Sequence, residues 1–473
     1  MRNGDSGVEW QPARLIPTAG IGGAREQEQR ATSTLLAVMS GVPSFGRELL
    51  ASLGAPRGKV EAYTEVPFTD EQGNTVRPDG LITATRGKKS WSALVEVKTR
   101  NNIASAEQVS SYLDVARREG FDGVLVIDNH ILGGPDDVPV EVPKKKLRSV
   151  SLWQLSWWRI LTEAIIQHDH RGVEDTEQQW ILRELIAYLL HENSGVGELD
   201  DMGPSWTKVR DGARRDALNA KQPEVANIAR RWEQFVHYVA LGMTQDLGRD
   251  VVPERSKKPL EQRLTDTRTE LAEHGTLSMS LKVPDAVGRV DLTADLRSRM
   301  VTSSVAIKAP REGKASTQVN WILRQLREAP DDLRIETKFV RTSKSTTVLL
   351  GDVRDKPKQV LLADDPQREP REFELSLARS MGTKKTTGPG AFITDTRQQA
   401  IDFYRDLVQH LTDWQPSAPR MRNSPSSTTD ARDTDSDATS EWQAPPADEA
   451  TEGDRAAAPE SGAANHGSNQ PSS

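Results

Sequence analysis

The sequence predicts a mixed α/β (α+β) protein, with the element order α-β-β-β-α-β in residues 24–160. Two observations carry this prediction: short apolar runs with strand-like composition, and longer runs whose apolar residues recur every three to four positions. The chain has 473 residues, enough for two or three domains, and 36% of them are hydrophobic. It has no cysteine, which excludes disulfides, zinc–thiolate sites and cysteine nucleophiles.

Residues 24–160 begin with the helix-like run AREQEQRATSTLLAVM. Three strand-like runs follow, VEAYTEVPFT, TVRPDGLITAT and SALVEVKT, which are separated by the turn signals EQGN and RGKKS. The next run, SAEQVSSYLDVARREG, predicts an amphipathic helix with Ser105 as N-cap and Gly120 as stop. The buried strand DGVLVID and a strand within RSVSLWQL complete the region.

Three further segments follow this region. Residues 161–250 have helical periodicity throughout, and the polar run near residue 255 is a candidate linker to a second α/β region, 262–413. Residues 417–473 are rich in Ser, Pro, Ala, Asp and Gly, and they predict a disordered acidic tail. This tail carries ten acidic and four basic residues, so most of the net charge of −7 lies there and the remaining body is near neutral.

The sequence shows neither the long apolar window of a membrane span nor the pattern of a signal peptide. No window approaches eighteen consecutive apolar residues, and the first residues lack the apolar run of a signal peptide. We therefore expect a cytoplasmic chain with no membrane partner.

Two polar stretches are predicted to meet at one end of the sheet. Asp79 lies on the second strand-like run, and the third ends in Val-Glu-Val-Lys at residues 95–98. Side chains alternate across a strand, so Glu96 and Lys98 share a face. A hairpin between the two runs brings Asp79 beside Glu96. We expect both carboxylates to lie near the surface of the sheet end.

These groups suit phosphodiester hydrolysis. Asp79 and Glu96, with the Val97 carbonyl, supply the oxygen ligands that Mg²⁺ prefers, and Mn²⁺ is a substitute. Such a cation lowers the pKa of water and neutralises charge on phosphate. Lys98 then orients or activates the attacking water, and Gln108 hydrogen-bonds the same water or a phosphate oxygen.

The pattern Pro78-Asp79, Glu96-Val97-Lys98 and Gln108 resembles the PD-(D/E)xK nuclease superfamily. The resemblance implies a restriction-endonuclease-like core, metal binding by the Asp and the Glu, and a lysine that assists the attacking water. It further implies a glutamate on the first helix near the metal, for which Glu28 is the candidate. The implied activity is Mg²⁺-dependent nuclease action on nucleic acid, most simply DNA.

The acidic-x-Lys pattern alone is weak, because it occurs at Glu96, Glu312 and Glu336. Glu336 even follows an Asp at residue 331, but a gap of five residues cannot hold a hairpin. Only Glu96 combines the spacing, the flanking strands and the following helix with Gln108.

Other interpretations stay open. The chain can instead be a catalytically inactive nuclease-like protein that binds DNA or acts as a scaffold. It can also be an interaction module, in which the helical segment or the C-terminal region forms a homodimer or contacts a protein partner.

A second set of residues echoes the first. Val-Ala-Ile-Lys at residues 305–308 matches Val-Glu-Val-Lys with Ala306 in place of the glutamate, and Gln318 follows Lys308 by ten residues. Asp291 lies on the preceding strand. Residues 262–413 are therefore either a degenerate copy without a metal site or a chance match.

Two basic runs are candidates for phosphate contacts. One is Lys144 to Lys146 with Arg148, and the other is Lys88 and Lys89, which we place in the hairpin turn beside the predicted site.

Overall fold

The computed structural model describes residues 14–17, 23–70, 73–138, 140–197, 199–254, 258–386, 388 and 390–416. The predicted acidic tail lies outside them. The α-helices of the described residues are α1 (Ala24–Gly41), α2 (Pro43–Ala51), α3 (Ala106–Glu119), α4 (Trp157–Ile165), α5 (Thr176–Leu189), α6 (Trp206–Arg214), α7 (Pro223–Leu247), α8 (Leu260–His274), α9 (Ala315–Gln325), α10 (Leu350–Val353) and α11 (Phe392–Asp406).

The strands build two large sheets and one small hairpin, which confirms the mixed α/β class. They are β1 (Lys59–Thr64), β2 (Phe68–Thr69), β3 (Thr75–Val76), β4 (Gly80–Arg86), β5 (Lys89–Val97), β6 (Gly123–Asp128), β7 (Ser151–Ser156), β8 (Val252–Pro253), β9 (Thr276–Lys282), β10 (Val290–Asp295), β11 (Met300–Lys308), β12 (Arg334–Phe339), β13 (Ser345–Leu349) and β14 (Pro370–Ser380).

The N-terminal sheet has the order β1-β4-β5-β6-β7. β1, β4 and β5 are antiparallel neighbours, whereas β6 and β7 run parallel to β5. α3 connects β5 to β6, and its caps are as predicted: the Ser105 hydroxyl accepts from the Gln108 N–H, and Gly120 has φ 75°. Both faces of the sheet are covered. Val95 packs in a cluster with Leu35 of α1, and Leu94 packs in a second cluster with α3.

The second predicted strand is interrupted. β3 ends at Val76 and pairs with β2, whereas β4 starts only at Gly80 and pairs with β1 and β5. Pro78 lies in the break, where its missing N–H cannot contribute to a ladder. Asp79 therefore stands at the entry to a strand rather than within one.

The helical prediction for residues 161–250 is confirmed by α5, α6 and α7, with α4 directly before them. α7 has 25 residues and is buried over much of its circumference. Its Tyr238 packs on Trp158 of α4 with ring centroids 4.7 Å apart, and Phe392 of α11 packs on Trp206 of α6 at 4.3 Å. α2 was not predicted. No helix in the described part of the chain is long and apolar enough to span a bilayer.

The C-terminal sheet has the order β13-β12-β14-β11-β10-β9-β8, and all its neighbours are antiparallel. Burial alternates along β9, β10 and β11, so one face is buried and apolar while the other is half-exposed and polar. The buried side chains of α8, α9 and α11 belong to the same hydrophobic cluster as the buried face.

The C-terminal sheet does not reproduce the geometry around Glu96. Asp291 pairs with Ser304, so continuing the register by two residues places Arg289, not Asp291, opposite Ala306. Ala306 lies on the half-exposed face, whereas Gln318 is buried on α9, which packs against the opposite face. β14 also separates β11 from β12. These differences favour a chance match over a copy of the site.

One buried arginine links three segments of the chain. Arg263 on α8 is 2% exposed, and its Nε lies 2.5 Å from Oε1 of Glu233 on α7. Its Nη2 donates to Asp137, in the connection between β6 and β7, at 2.8 Å. His237 Nε2 lies 3.1 Å from the same Glu233 oxygen. The N-terminal region, the middle helices and the C-terminal region therefore share one buried ionic network.

Candidate active site

The hairpin of β4 and β5 brings the predicted carboxylates to one edge of the sheet. Gly80 pairs with Val95, which places Asp79 opposite Glu96. The backbone N–H of Val97 donates to Asp79 Oδ2 at 2.8 Å. Since the N–H and C=O of one strand residue point to the same side, the Val97 carbonyl also faces Asp79. The hairpin therefore brings Asp79 and Glu96 together across their spacing of seventeen residues, as the sequence predicts.

Glu96 is buried, not near the surface as expected. Its side chain is 1% exposed, because α3 covers the face of β5 to which it points. Burial and, to a lesser extent, the charge of the neighbouring Asp79 carboxylate together raise the pKa of Glu96 to about 7, against the opposite effect of Lys98. The expectation of a superficial pair is therefore wrong for Glu96, whereas Asp79 is half-buried.

Lys98 is the cation of the site. Its Nζ lies 2.6 Å from Glu96 Oε1 and 3.8 Å from Glu28 Oε2. Burial lowers the pKa of Lys98, but the contact with Glu96 and the charges of Glu28 and Asp79 outweigh burial and hold the pKa above its usual value. Lys98 is consequently a charged ammonium among three carboxylates.

The pKa of Asp79 depends on the same neighbouring groups. Burial raises the pKa of Asp79, while the Val97 N–H and the Lys98 charge lower it in part. The pKa of Asp79 is therefore raised overall, as that of Glu96 is. Two negative charges at this place are unfavourable unless a cation compensates them.

Glu28 reaches the site from α1, as the family resemblance implied. Its Oε1 accepts from Asn102 Nδ2 at 2.7 Å and from the Thr99 N–H at 3.5 Å. Glu28 thus lies where β5 ends, within 3.8 Å of the Lys98 Nζ that also contacts Glu96.

Gln108 belongs to the site indirectly. Its Nε2 donates to the hydroxyl of Tyr112 at 3.1 Å, one turn further along α3. The Tyr112 hydroxyl donates in turn to the Arg77 carbonyl at 3.3 Å. Burial raises the pKa of Tyr112, and the Glu96 carboxylate raises it further, so the hydroxyl stays protonated beside Glu96.

Tyr112 is the site residue that sequence reasoning missed. Residues four apart lie on the same face of a helix, so the position of Gln108 already pointed to Tyr112 as its neighbour. A tyrosine within the apolar face of a helix is usually a core residue, so nothing in the sequence indicated hydrogen bonds from its hydroxyl.

The donor set fits a hard divalent cation. Neither carboxylate oxygen of Glu96 accepts an aligned hydrogen bond from the described residues, although Lys98 forms an ion pair with one of them. Asp79, Glu96 and the Val97 carbonyl supply oxygen atoms, which Mg²⁺ and Mn²⁺ accept together with water. In the described part of the chain, no group of three or more His, Cys, Asp or Glu side chains is arranged to hold a metal.

The two basic runs lie away from the carboxylates. Lys88 lies in the turn and Lys89 begins β5, at the opposite end of that strand from Glu96 and roughly 23 Å away at about 3.3 Å per strand residue. Their placement beside the site was wrong. Lys146 pairs with Asp114 on α3 at 2.5 Å, while Lys144 and Lys145 are exposed.

Comparison of the chain with protein-family models, with curated proteins and with solved structures finds no match for it in any of the three.

Proposed function

We propose that the chain is a Mg²⁺-dependent nuclease of PD-(D/E)xK type, acting on DNA in the cytoplasm, with a restriction-endonuclease-like core in residues 24–160. The observation that carries this proposal is the hairpin register, which sets Asp79 opposite a buried Glu96 with the Lys98 ammonium 2.6 Å from that carboxylate. The order α-β-β-β-α-β and the parallel step from β5 to β6 support it.

The residues divide the chemistry of phosphodiester hydrolysis between them. Asp79, Glu96 and the Val97 carbonyl would hold the cation, which supplies positive charge that lowers the pKa of water and offsets the charge of the phosphate. Lys98 orients the attacking water and stabilises negative charge that develops on the phosphate oxygens. Water attacks phosphorus, the bond to the leaving oxygen breaks, and that oxygen takes up a proton.

The surrounding residues keep these groups in position. Glu28 is a second carboxylate beside Lys98, at 3.8 Å, and helps to balance its charge. The chain from Gln108 through Tyr112 to Arg77 ties α3 to the segment that carries Asp79. α3 excludes water from the Glu96 side of the sheet.

Metal titration tests the proposal. Purified protein is incubated with plasmid and linear DNA in Mg²⁺, Mn²⁺ or excess EDTA, and Mg²⁺ binding is measured by calorimetry. We expect cleavage with either metal, none with EDTA, and heat of binding that disappears in an Asp79→Asn protein. Metal-independent cleavage would refute the metal mechanism, and no cleavage together with no metal binding would support the inactive DNA-binding or scaffold alternative.

Removal of the Tyr112 hydroxyl should weaken activity without abolishing it. A Tyr112→Phe protein keeps the aromatic packing of α3 but loses the link between Gln108 and Arg77. We expect kcat to fall about tenfold, since one hydrogen bond contributes about 1 kcal/mol and positioning multiplies the effect. Steady-state cleavage assays check this. A Tyr63→Phe protein, changed at an exposed tyrosine of β1, is the matched control.

A further inference from the structure

A polar cavity lies next to the candidate active site, at the carboxyl ends of the parallel strands β5 and β6. It has a volume of about 400 Å³, and its lining includes the basic Arg100, His130 and Arg231 and the acidic Glu192 and Asp200. Arg100 follows Lys98 by two residues, and the Lys98 N–H donates to the Ile127 carbonyl of β6 at 2.7 Å. The cavity therefore begins where the catalytic strand ends, and its size is that of a small-molecule site.

Arg100 is held in an uncommon backbone conformation at the mouth of this cavity. Its φ is 54°, in the left-handed region that costs free energy for a residue other than glycine. The Arg100 N–H donates to the Gly195 carbonyl at 2.8 Å, and Arg100 Nε donates to Oε1 of the fully buried Gln27 at 2.8 Å. These bonds fix the guanidinium relative to α1, which carries Glu28 at the next position.

Gly195 and Gly197, which also line the cavity, are held close to Gln27 and Arg100. Gly195 has φ 78°, and a Cβ there would lie 2.4 Å from Gln27, so this position requires glycine. Asn129 Nδ2 donates to the carbonyls of Arg100 and Gly195, each at 2.9 Å, and Asn129 Oδ1 accepts from the Gly197 N–H at 3.1 Å. The cavity wall is therefore rigid and joined to the strand ends.

His130 lies beside a buried carboxylate. Its backbone N–H donates to Oδ1 of Asp128 at 2.9 Å, and its Nδ1 is 3.3 Å from Oδ2 of the same side chain, without the alignment of a hydrogen bond. Gln154 Nε2 donates both to Asp128 Oδ1 and to the His130 carbonyl, each at 2.7 Å. With Nδ1 turned to Asp128, the Nε2 edge of the ring is left for the cavity that His130 lines.

The third group is Arg231 on α7. Its Nε lies 2.5 Å from the Asp201 carbonyl, and its guanidinium is 3.5 Å from the carboxylate of Asp200, which is 77% exposed, and 3.6 Å from that of the half-buried Asp201. Carboxylates at these distances are weaker partners for a guanidinium than a bidentate anion. A phosphate can displace them, because it offers the guanidinium two oxygens in the matching geometry.

We propose that this cavity receives the phosphate of the nucleotide adjacent to the cleaved phosphodiester, with Arg100, His130 and Arg231 as its donors. The inference rests on the proposed nuclease function and extends it by naming where the substrate strand continues beyond Lys98. Two fixed guanidinium groups and an imidazole form a site for an anion, and a strand bound at Asp79 and Glu96 places its next phosphate within reach of Arg100.

Binding without cleavage tests this site. Anisotropy of a labelled single-stranded oligonucleotide and of its duplex is measured in EDTA for the wild type, His130→Ala and Arg231→Lys, over a series of salt concentrations. We expect about tenfold weaker binding for each variant at every salt concentration. In Mg²⁺, KM for cleavage should rise while kcat changes little. Competition with inorganic phosphate and with a mononucleotide shows whether a chain is required.

The matched control is Lys88→Ala, which removes one cation at the far end of the hairpin and should leave affinity unchanged. Thermal melting confirms that each variant is folded. Unchanged binding and KM in both variants would overturn this inference while leaving the nuclease function intact. Weaker binding in both variants, compared with a wild type that binds DNA but cleaves nothing, would refute the nuclease function and keep the cavity as a phosphate site. Tight binding of the mononucleotide alone would also overturn the inference.

Discussion

A Glu96→Gln protein should lose about a thousandfold or more of its Mg²⁺-dependent cleavage, because a ligand that holds the cation contributes several kcal/mol to the transition state. Glutamine keeps the size of the side chain but lacks the charge that a divalent cation requires. Cleavage rates at saturating Mg²⁺, measured under single-turnover conditions, check the expectation. Activity at the wild-type level in this variant would refute the assigned role of Glu96.

The fold should survive this substitution. Glu96 is a buried carboxylate whose charged form is disfavoured by burial and by Asp79, as its raised pKa of about 7 records. A neutral amide removes that conflict, so we expect the melting temperature to be no lower than that of the wild type. Circular dichroism then separates loss of chemistry from loss of structure.

The chain contains its own matched control for this experiment. Glu336 begins the same Glu-x-Lys pattern on β12, but its strand neighbours in register are Glu374 and Thr347 rather than an aspartate. Its lysine, Lys338, pairs with Glu372 and Glu374. A Glu336→Gln protein should cleave at the wild-type rate, which shows that the tripeptide matters only where the hairpin supplies Asp79.

An Arg263→Leu protein should lose about 3–5 kcal/mol in its free energy of unfolding. The substitution leaves Glu233 buried without its guanidinium partner and removes the contact with Asp137. Urea unfolding at pH 7 measures the change. For comparison, an Arg249→Ala protein, which removes a largely exposed pair with Asp285, should lose at most about 1 kcal/mol. A loss below that value for Arg263→Leu would contradict the account.

The same network predicts how stability depends on pH. Burial raises the pKa of Glu233, but His237 and Arg263 outweigh burial and hold it below the usual value. Because the unfolded chain then binds the proton more tightly, this stabilisation is complete above the unfolded pKa and is lost as pH falls through the folded pKa. We expect the Arg263→Leu protein to lose less stability than the wild type when both are acidified.

Local signals in the sequence predicted the hairpin of the candidate site and the helix that follows it. The Ser105 cap and the Gly120 stop were correct because capping depends on a few adjacent residues. The meeting of Asp79 with Glu96 followed from strand alternation and the length of the turn. The break in the strand at Pro78 could have been predicted, because proline cannot donate to a ladder. The strand-like residues on both sides of Pro78 instead suggested one continuous strand.

Features that depend on distant residues were not predictable. The cavity beside the site joins Gln27 to Arg100 and Gly195, which are far apart in sequence, and each looks ordinary in its own segment. The insertion of β14 between β11 and β12 likewise depends on pairing that no local pattern encodes. The burial of Glu96 required knowing that α3 packs over its strand.

The buried Arg263 has a consequence for how this protein can evolve. A segment can be exchanged between proteins only if it folds without the rest of its chain. Asp137, in the region with the candidate site, is paired with an arginine more than a hundred residues later in the sequence. Recombination that transplanted residues 24–160 alone would carry an acidic residue that has lost its counterion. Inheritance of the region with the candidate site is therefore tied to α8 of the C-terminal region, whose Arg263 is the counterion of Asp137.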